Sequence, residues 1–121
     1  MRGFFNKISV GTVQFGMDGY GILETPRIST KDVGMILRLL YTKGARYLDT
    51  APLYGNSEEI LGSVGVSDWN VMSKMLPIDA CNALDIKNIE KSVMKSIETL
   101  GLDAIDGLFV HEPSNALHEN A

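Results

Sequence analysis

The sequence predicts an α/β fold built on a parallel sheet, and three observations carry that reading. Short β-branched, apolar segments alternate with segments whose apolar residues recur at helical spacing, in the order βαβαβαβ with the start of a further helix. Ser, Asn and Gly stand where those helices should begin and end. Beyond the βα alternation itself, no linker, low-complexity stretch or internal repeat breaks the 121 residues, so residues 1–121 read as one domain.

The elements follow in order. "KISVGTVQFG" (7–16) is apolar and β-branched and ends in glycine, which predicts a strand. "MDGYGILETPR" (17–27) is rich in Gly and contains Pro, which predicts a loop. "STKDVGMILRLLYTKG" (29–44) predicts a helix: Ser29 caps it with Asp32 as a capping-box variant, Val33, Ile36, Leu37 and Leu40 share a face, and Gly44 stops it. "ARYLDTA" (45–51) is a second strand. "NSEEILGSVG" (56–65) is a short helix with Asn56 as cap, Glu59 three residues on, and Glu58 and Glu59 at the end that favours negative charge. "DWNVMSK" (68–74) is a third strand and "LPIDACNALD" (76–85) a loop. "IKNIEKSVMKSIETLG" (86–101) is a helix with Ile86, Ile89, Val93, Ile97 and Leu100 on one face and Gly101 as its stop. "AIDGLFVH" (104–111) is a fourth strand, and "EPSNALHENA" (112–121) opens a fourth helix.

Composition narrows the function. An apolar fraction of 45% supports a packed core. A net charge of −4 with no basic block argues against nucleic acid or an anionic membrane as partner. The one cysteine, Cys81, cannot staple the fold, and no metal-ligand spacing surrounds it, so no metal site is expected. Disulfide-free composition fits a reducing compartment. The apolar run near the N-terminus is too short for a signal peptide, and none approaches the roughly 18 residues of a membrane span. A cytoplasmic, soluble protein is expected.

Topology then directs attention to the strand ends. In a parallel βα sheet all strand C-termini lie on one side. Ligands bind there in barrels and in open doubly wound sheets alike. Three predicted strands end in an ionisable residue: Asp49, Lys74 and His111. Tyr54 lies in the loop just after Asp49. The first strand ends among glycines, which let a ligand approach the backbone. The four polar residues form a coherent chemical set. A free tyrosine, with a pKa of about 10, is a poor proton donor at neutral pH, and a neighbouring ammonium favours its phenolate. An aspartate beside that lysine keeps it charged and in place. A histidine can bond and orient a substrate oxygen. The set suits proton transfer to a carbonyl oxygen. Taken singly, each residue also has an ordinary structural role at a strand end or in a loop; His118, in a polar tail, carries no signal.

These residues bear a family likeness. "LDTAPLYGNSEEILG" resembles the aldo-keto reductase signature. "SVMKSIETLGLDAIDGLFVHEP" resembles that family's helix, Leu-Gly, apolar strand and His-x-Pro. "VGTVQFGMDGYGI" and "VMSKM" resemble its first and third strand ends. The match runs in order across nearly the whole chain. The resemblance implies the N-terminal half of a (β/α)8 TIM barrel, about four βα units with parallel strands. It also implies an NADPH-dependent oxidoreductase, NADH being possible, that reduces an aldehyde or ketone to an alcohol. By that likeness Tyr54 would protonate the carbonyl oxygen as hydride arrives. Lys74 would make it a readier donor, Asp49 would pair with Lys74, and His111 would orient the carbonyl. Gly11, Thr12 and Asp49 would lie against the cofactor.

The sequence departs from that pattern in three places. Gly19 is an extra residue in "MDGYGI". Gly107 stands inside the fourth strand, where an apolar side chain is expected and its absence should weaken packing. Most of all, such a barrel needs eight strands and about 250 residues, and its later strands supply most of the cofactor contacts. Four βα units leave two sheet edges and an inner face open, so self-association or pairing with a C-terminal half is expected. The alternative is a catalytically inactive truncated paralogue acting as an interaction or regulatory half-barrel. An open flavodoxin-like sheet is a weaker third reading, because the first strand leads into a long loop and not directly into a helix.

Overall fold

The computed structural model describes residues 2–78 and 86–117. Its sheet has four parallel strands in chain order: β1 (Ser9–Gly11), β2 (Tyr47–Asp49), β3 (Asn70–Met75) and β4 (Gly107–Val110). Gly11 lies beside Asp49, and Lys74 beside Phe109. Helix α1 (Arg2–Phe5) precedes the sheet, and a single turn α2 (Val13–Gly16) follows β1. The crossovers carry α3 (Thr30–Thr42), α4 (Ser57–Val64) and α5 (Ile86–Leu100), and a 3-10 helix (Pro113–Leu117) follows β4. The expected α/β alternation with a parallel sheet is therefore what the chain forms.

Sheet alternation sorts the side chains. Along β3, Val71, Ser73 and Met75 are buried, while Asn70, Met72 and Lys74 are half-buried. The buried set packs toward the helices. There Leu48, Leu61, Leu100, Val33, Val66 and Val71 are almost wholly removed from water. This layer between sheet and helices is the core, and it leaves the other face of the sheet as a concavity. Burying each of these aliphatic side chains stabilises the fold by about 1.5–3 kcal/mol before chain entropy is counted.

Helix α3 begins as read. Ser29 Oγ accepts from the Asp32 amide at 3.1 Å and donates to Asp32 Oδ2 at 2.7 Å. Leu37 and Val33 face inward, and Gly44 ends the helix at φ +105°. Helix α5 follows the expected apolar face except at Ile86, which is exposed in the first turn.

Four expectations need correction. The first strand is shorter than residues 7–16. The Thr12 amide and hydroxyl both donate to the Asp49 carbonyl, and the Phe15 amide donates to the Thr12 carbonyl, so the chain turns into α2 and buries Phe15. Asn56 occupies the N-cap position of α4 but makes no side-chain cap bond; its Oδ1 accepts from Arg27 Nη1 at 3.0 Å. Glu59 stays exposed, and its neighbour Glu58 is buried instead. Gly107 does not leave a hole: the Met72 sulfur lies 2.5 Å from where a Cβ would stand, so the thioether fills the space. Within the described residues the predicted fourth helix opens as the 3-10 turn, and residues 118–121, with His118, lie outside them. Cys81 and the predicted loop beyond residue 78 also lie outside them.

Two features of the sheet bear on function. Among the described residues, β1 and β4 each have one unpaired edge. β4 is open on both faces, with Leu108, Phe109 and Val110 all exposed. Among the described residues, no helix is long and apolar enough to cross a membrane.

Candidate active site

Asp49 is the last residue of β2, Lys74 the next to last of β3, and His111 the first residue after β4. Tyr54 lies in the loop from β2 to α4. Parallel topology thus brings all four to the C-terminal rim of the sheet. Lys74 Nζ lies 2.7 Å from Asp49 Oδ1 and also donates to the Thr50 carbonyl at 3.1 Å. The same ammonium stands 4.8 Å from the centroid of the Tyr54 ring. The Tyr54 and His111 rings meet edge to face with centroids 6.0 Å apart. His111 Nδ1 is buried and has no hydrogen-bond partner among the described residues.

Lys74 feels opposing forces. Burial disfavours its charge, while the hydrogen bonds and charges of Asp49 and Tyr54 favour it. The second set wins, and the ammonium is held above the ordinary lysine pKa. It is therefore a fixed positive charge at neutral pH, placed beside the phenol.

The Tyr54 loop is pinned by backbone and by buried hydroxyls. The Tyr54 amide donates to the Ala51 carbonyl, and the Ser57 amide donates to the Tyr54 carbonyl. Ser57 Oγ donates to the carbonyl and hydroxyl of Thr12, at 3.0 and 2.9 Å, and lies 3.4 Å from Thr50 Oγ1. Thr12, Thr50 and Ser57 are all fully buried. Gly16 and Gly55 allow the two loops to touch. A Cβ on Gly16 would collide with the Tyr54 carbonyl, and one on Gly55 with the Gly16 carbonyl. Gly55 also takes φ +57°, which disfavours other residues.

The inner concavity holds about 500 Å³ and is lined by Gly11, Asp49, Met72 and Phe109, with Asn6, Lys7, Ser9 and Tyr47 completing the wall. Gly11 thus faces this space. The Thr12 side chain does not: it is committed to the core through Asp49 and Ser57.

Sequence reasoning missed three supports of the rim. Glu58 accepts from Ser73 Oγ at 2.8 Å and from Ser96 Oγ at 3.0 Å, joining α4 to β3 and α5. Arg27 reaches from the first loop to Asn56. Asn115 and Ile78 exchange two bonds of 2.9 Å, tying the segment after β4 to the one after β3. Glu58 is held by serines on two other elements, which its place beside Glu59 does not reveal. The other two contacts join residues distant in sequence and leave no local pattern.

Comparison with known proteins finds relatives along nearly the whole chain. The model of the aldo/keto reductase family matches residues 7–120. L-galactose dehydrogenase of Arabidopsis thaliana is 29% identical over 113 residues, which are 87% of this chain and 35% of that protein. A Pseudomonas aeruginosa structure described as an aldo-keto reductase is 30% identical with a TM-score of 0.72, over 90% of this chain and 44% of that one. A thermostable aldo-keto reductase solved with the inhibitor epalrestat is 25% identical with a TM-score of 0.61, over 88% and 39%. The chain spans about a third of the curated relative and about two-fifths of these structures. With four parallel βα-linked strands of the same barrel and a family match along nearly its whole length, the chain belongs to the aldo/keto reductase family.

Proposed function

We propose that this chain carries the proton-transfer half of an NAD(P)H-dependent carbonyl reductase. The observation that supports it best is the Lys74–Asp49 bond of 2.7 Å with the Tyr54 ring beside the ammonium and the His111 ring beside Tyr54. Tyr54 serves as general acid to the carbonyl oxygen of an aldehyde or ketone. The Lys74 ammonium stabilises the phenolate left behind, and Asp49 holds that ammonium in position. His111, whose ring meets Tyr54 edge to face, orients the substrate carbonyl beside the acid.

The residues present fit one end of a nicotinamide cofactor. Nothing stands within 4 Å of the Gly11 Cβ position, so a flat ring can approach that backbone. Met72 and Phe109 offer apolar surface in the same concavity, and Asp49 lies on its wall. When bound, the cofactor supplies the hydride. NADPH is the first choice, with NADH the alternative.

A second reading has its own support. β4 is exposed on both faces, an apolar surface that suits an interaction or regulatory module. One experiment separates the two. NADPH consumption is followed with a panel of aldehydes and ketones, for the chain and for Tyr54→Phe. Turnover that the substitution abolishes supports the reductase. Turnover unchanged in Tyr54→Phe sinks the assignment of the acid. No turnover or NADPH binding, together with self-association, favours the module.

A further inference from the structure

Glu58 is a buried carboxylate that the proton-transfer set does not include. It is 7% exposed and sits in the first turn of α4, four residues after Tyr54. Burying an ionised carboxylate is costly unless donors surround it. Two do: Ser73 Oγ at 2.8 Å and Ser96 Oγ at 3.0 Å, both buried. The N-terminal end of α4 adds a favourable field.

The placement of the donors is what points to function. Ser73 directly precedes Lys74 on β3, and strand alternation sends the two side chains to opposite faces. Gripping Ser73 from the helix side therefore fixes how far Lys74 projects on the cavity side. The other end of the grip is the helix turn that begins just after Tyr54. That turn is already bolted to the residues just after β1 and β2 through Ser57, Thr12 and Thr50. Glu58 supplies the matching bolt toward β3.

We propose that Glu58 is a positioning residue for the Tyr54–Lys74 pair: its carboxylate locks the loop that bears the phenol to the strand that bears the ammonium. The catalytic consequence rests on the reductase reading above; the geometric consequence does not. Ser73 is the arm of the clamp that serves the site, and Ser96 is the arm that serves the packing of α5. Small displacements matter here, because a misplacement of about 1 Å can cost on the order of 100-fold in rate.

The test compares Glu58→Gln, Ser73→Ala and Ser96→Ala in the full chain. The Lys74 titration is read by NMR of a labelled side chain, the thermal midpoint by circular dichroism, and kcat and KM from NADPH consumption. Glu58→Gln and Ser73→Ala should bring the Lys74 titration down toward that of an ordinary lysine. They should lower kcat at least about 10-fold with little change in KM. Ser96→Ala should lower the thermal midpoint while leaving titration and kcat alone. If all three variants lose stability alike and none moves the Lys74 titration or kcat, Glu58 is only a packing residue and the proposal is wrong. If no protein turns over a carbonyl but the Lys74 titration still moves in Glu58→Gln and Ser73→Ala, the reductase reading fails and the positioning role stands.

Discussion

Lys74 and Asp49 meet across neighbouring strands, with Nζ 2.7 Å from Oδ1, and the lysine side chain is the more buried of the two at 15% exposure against 35%. The pair lies at the rim where β2 and β3 end and ties the two strands together there.

Its stability contribution has a definite pH window. The folded Lys74 pKa is raised above the unfolded value, near 10.5. The stabilisation is therefore fully present below that value and is lost as pH rises through the folded pKa. Asp49→Asn should cost about 1 kcal/mol at neutral pH, because the pair is partly open to water. The difference between the two proteins should shrink at pH above the lysine range. Urea unfolding at several pH values measures this; a difference that stays constant through the lysine range would show that Lys74 is not the partner.

Tyr54→Phe isolates the hydroxyl. The ring remains to contact His111 and the Lys74 ammonium, so the fold should survive with a change in stability of about 1 kcal/mol or less. If Tyr54 is the general acid, carbonyl reduction should fall about 100- to 10,000-fold. NADPH consumption and circular dichroism on the same samples separate chemistry from folding.

Gly16→Ala tests the contact between the first loop and the Tyr54 loop. The new methyl would strike the Tyr54 carbonyl and the Ser57 amide, which are backbone and cannot rotate away. A loss of about 1–3 kcal/mol or more is expected. Gly11→Ala is the control, since its Cβ meets nothing within 4 Å. Chemical denaturation of the two variants should rank them widely apart, and equal midpoints would show that the loops can separate freely.

What the sequence made legible follows from the range of each interaction. Ser29 and Asp32 are three residues apart and meet within one helical turn, so their bond could be read directly. The rim residues were legible for a different reason: parallel topology alone gathers strand ends, wherever they stand in the chain. Asn56 was misread because Arg27, 29 residues away, competes for its side chain. The end of β1 was misread because Thr12 satisfies its polar groups on Asp49 and Ser57, far along the chain. Glu58 escaped notice since both serines that make its burial tolerable lie on other elements.

Gly107 and Met72 should behave as a coupled pair. They are register partners on β4 and β3, and the methionine sulfur occupies the space that a side chain at 107 would need. Gly107→Ala alone should cost about 1–2 kcal/mol, less than a backbone collision, because the thioether is flexible. Met72→Ala opens that space, so the double variant should be less destabilised than the sum of the two single ones by about 0.5 kcal/mol or more. A strictly additive cycle in urea unfolding would mean that Met72 moves aside without cost.

The open edge of β4 carries the last prediction. Leu108, Phe109 and Val110 are 43%, 53% and 43% exposed in one strand, beside an unpaired row of backbone groups. Such a strand is a template for another chain. The chain should therefore associate as its concentration rises, whether with itself or with a complementary half-barrel supplied in the same solution. Leu108→Lys with Val110→Lys places charge on the outward face of β4 without touching Lys74, Asp49 or Tyr54. This variant should keep its helical signal and shift toward monomer. Sedimentation velocity over a wide concentration range is the measurement. A wild-type chain that stays monomeric throughout would show that the exposed strand does not act as a template.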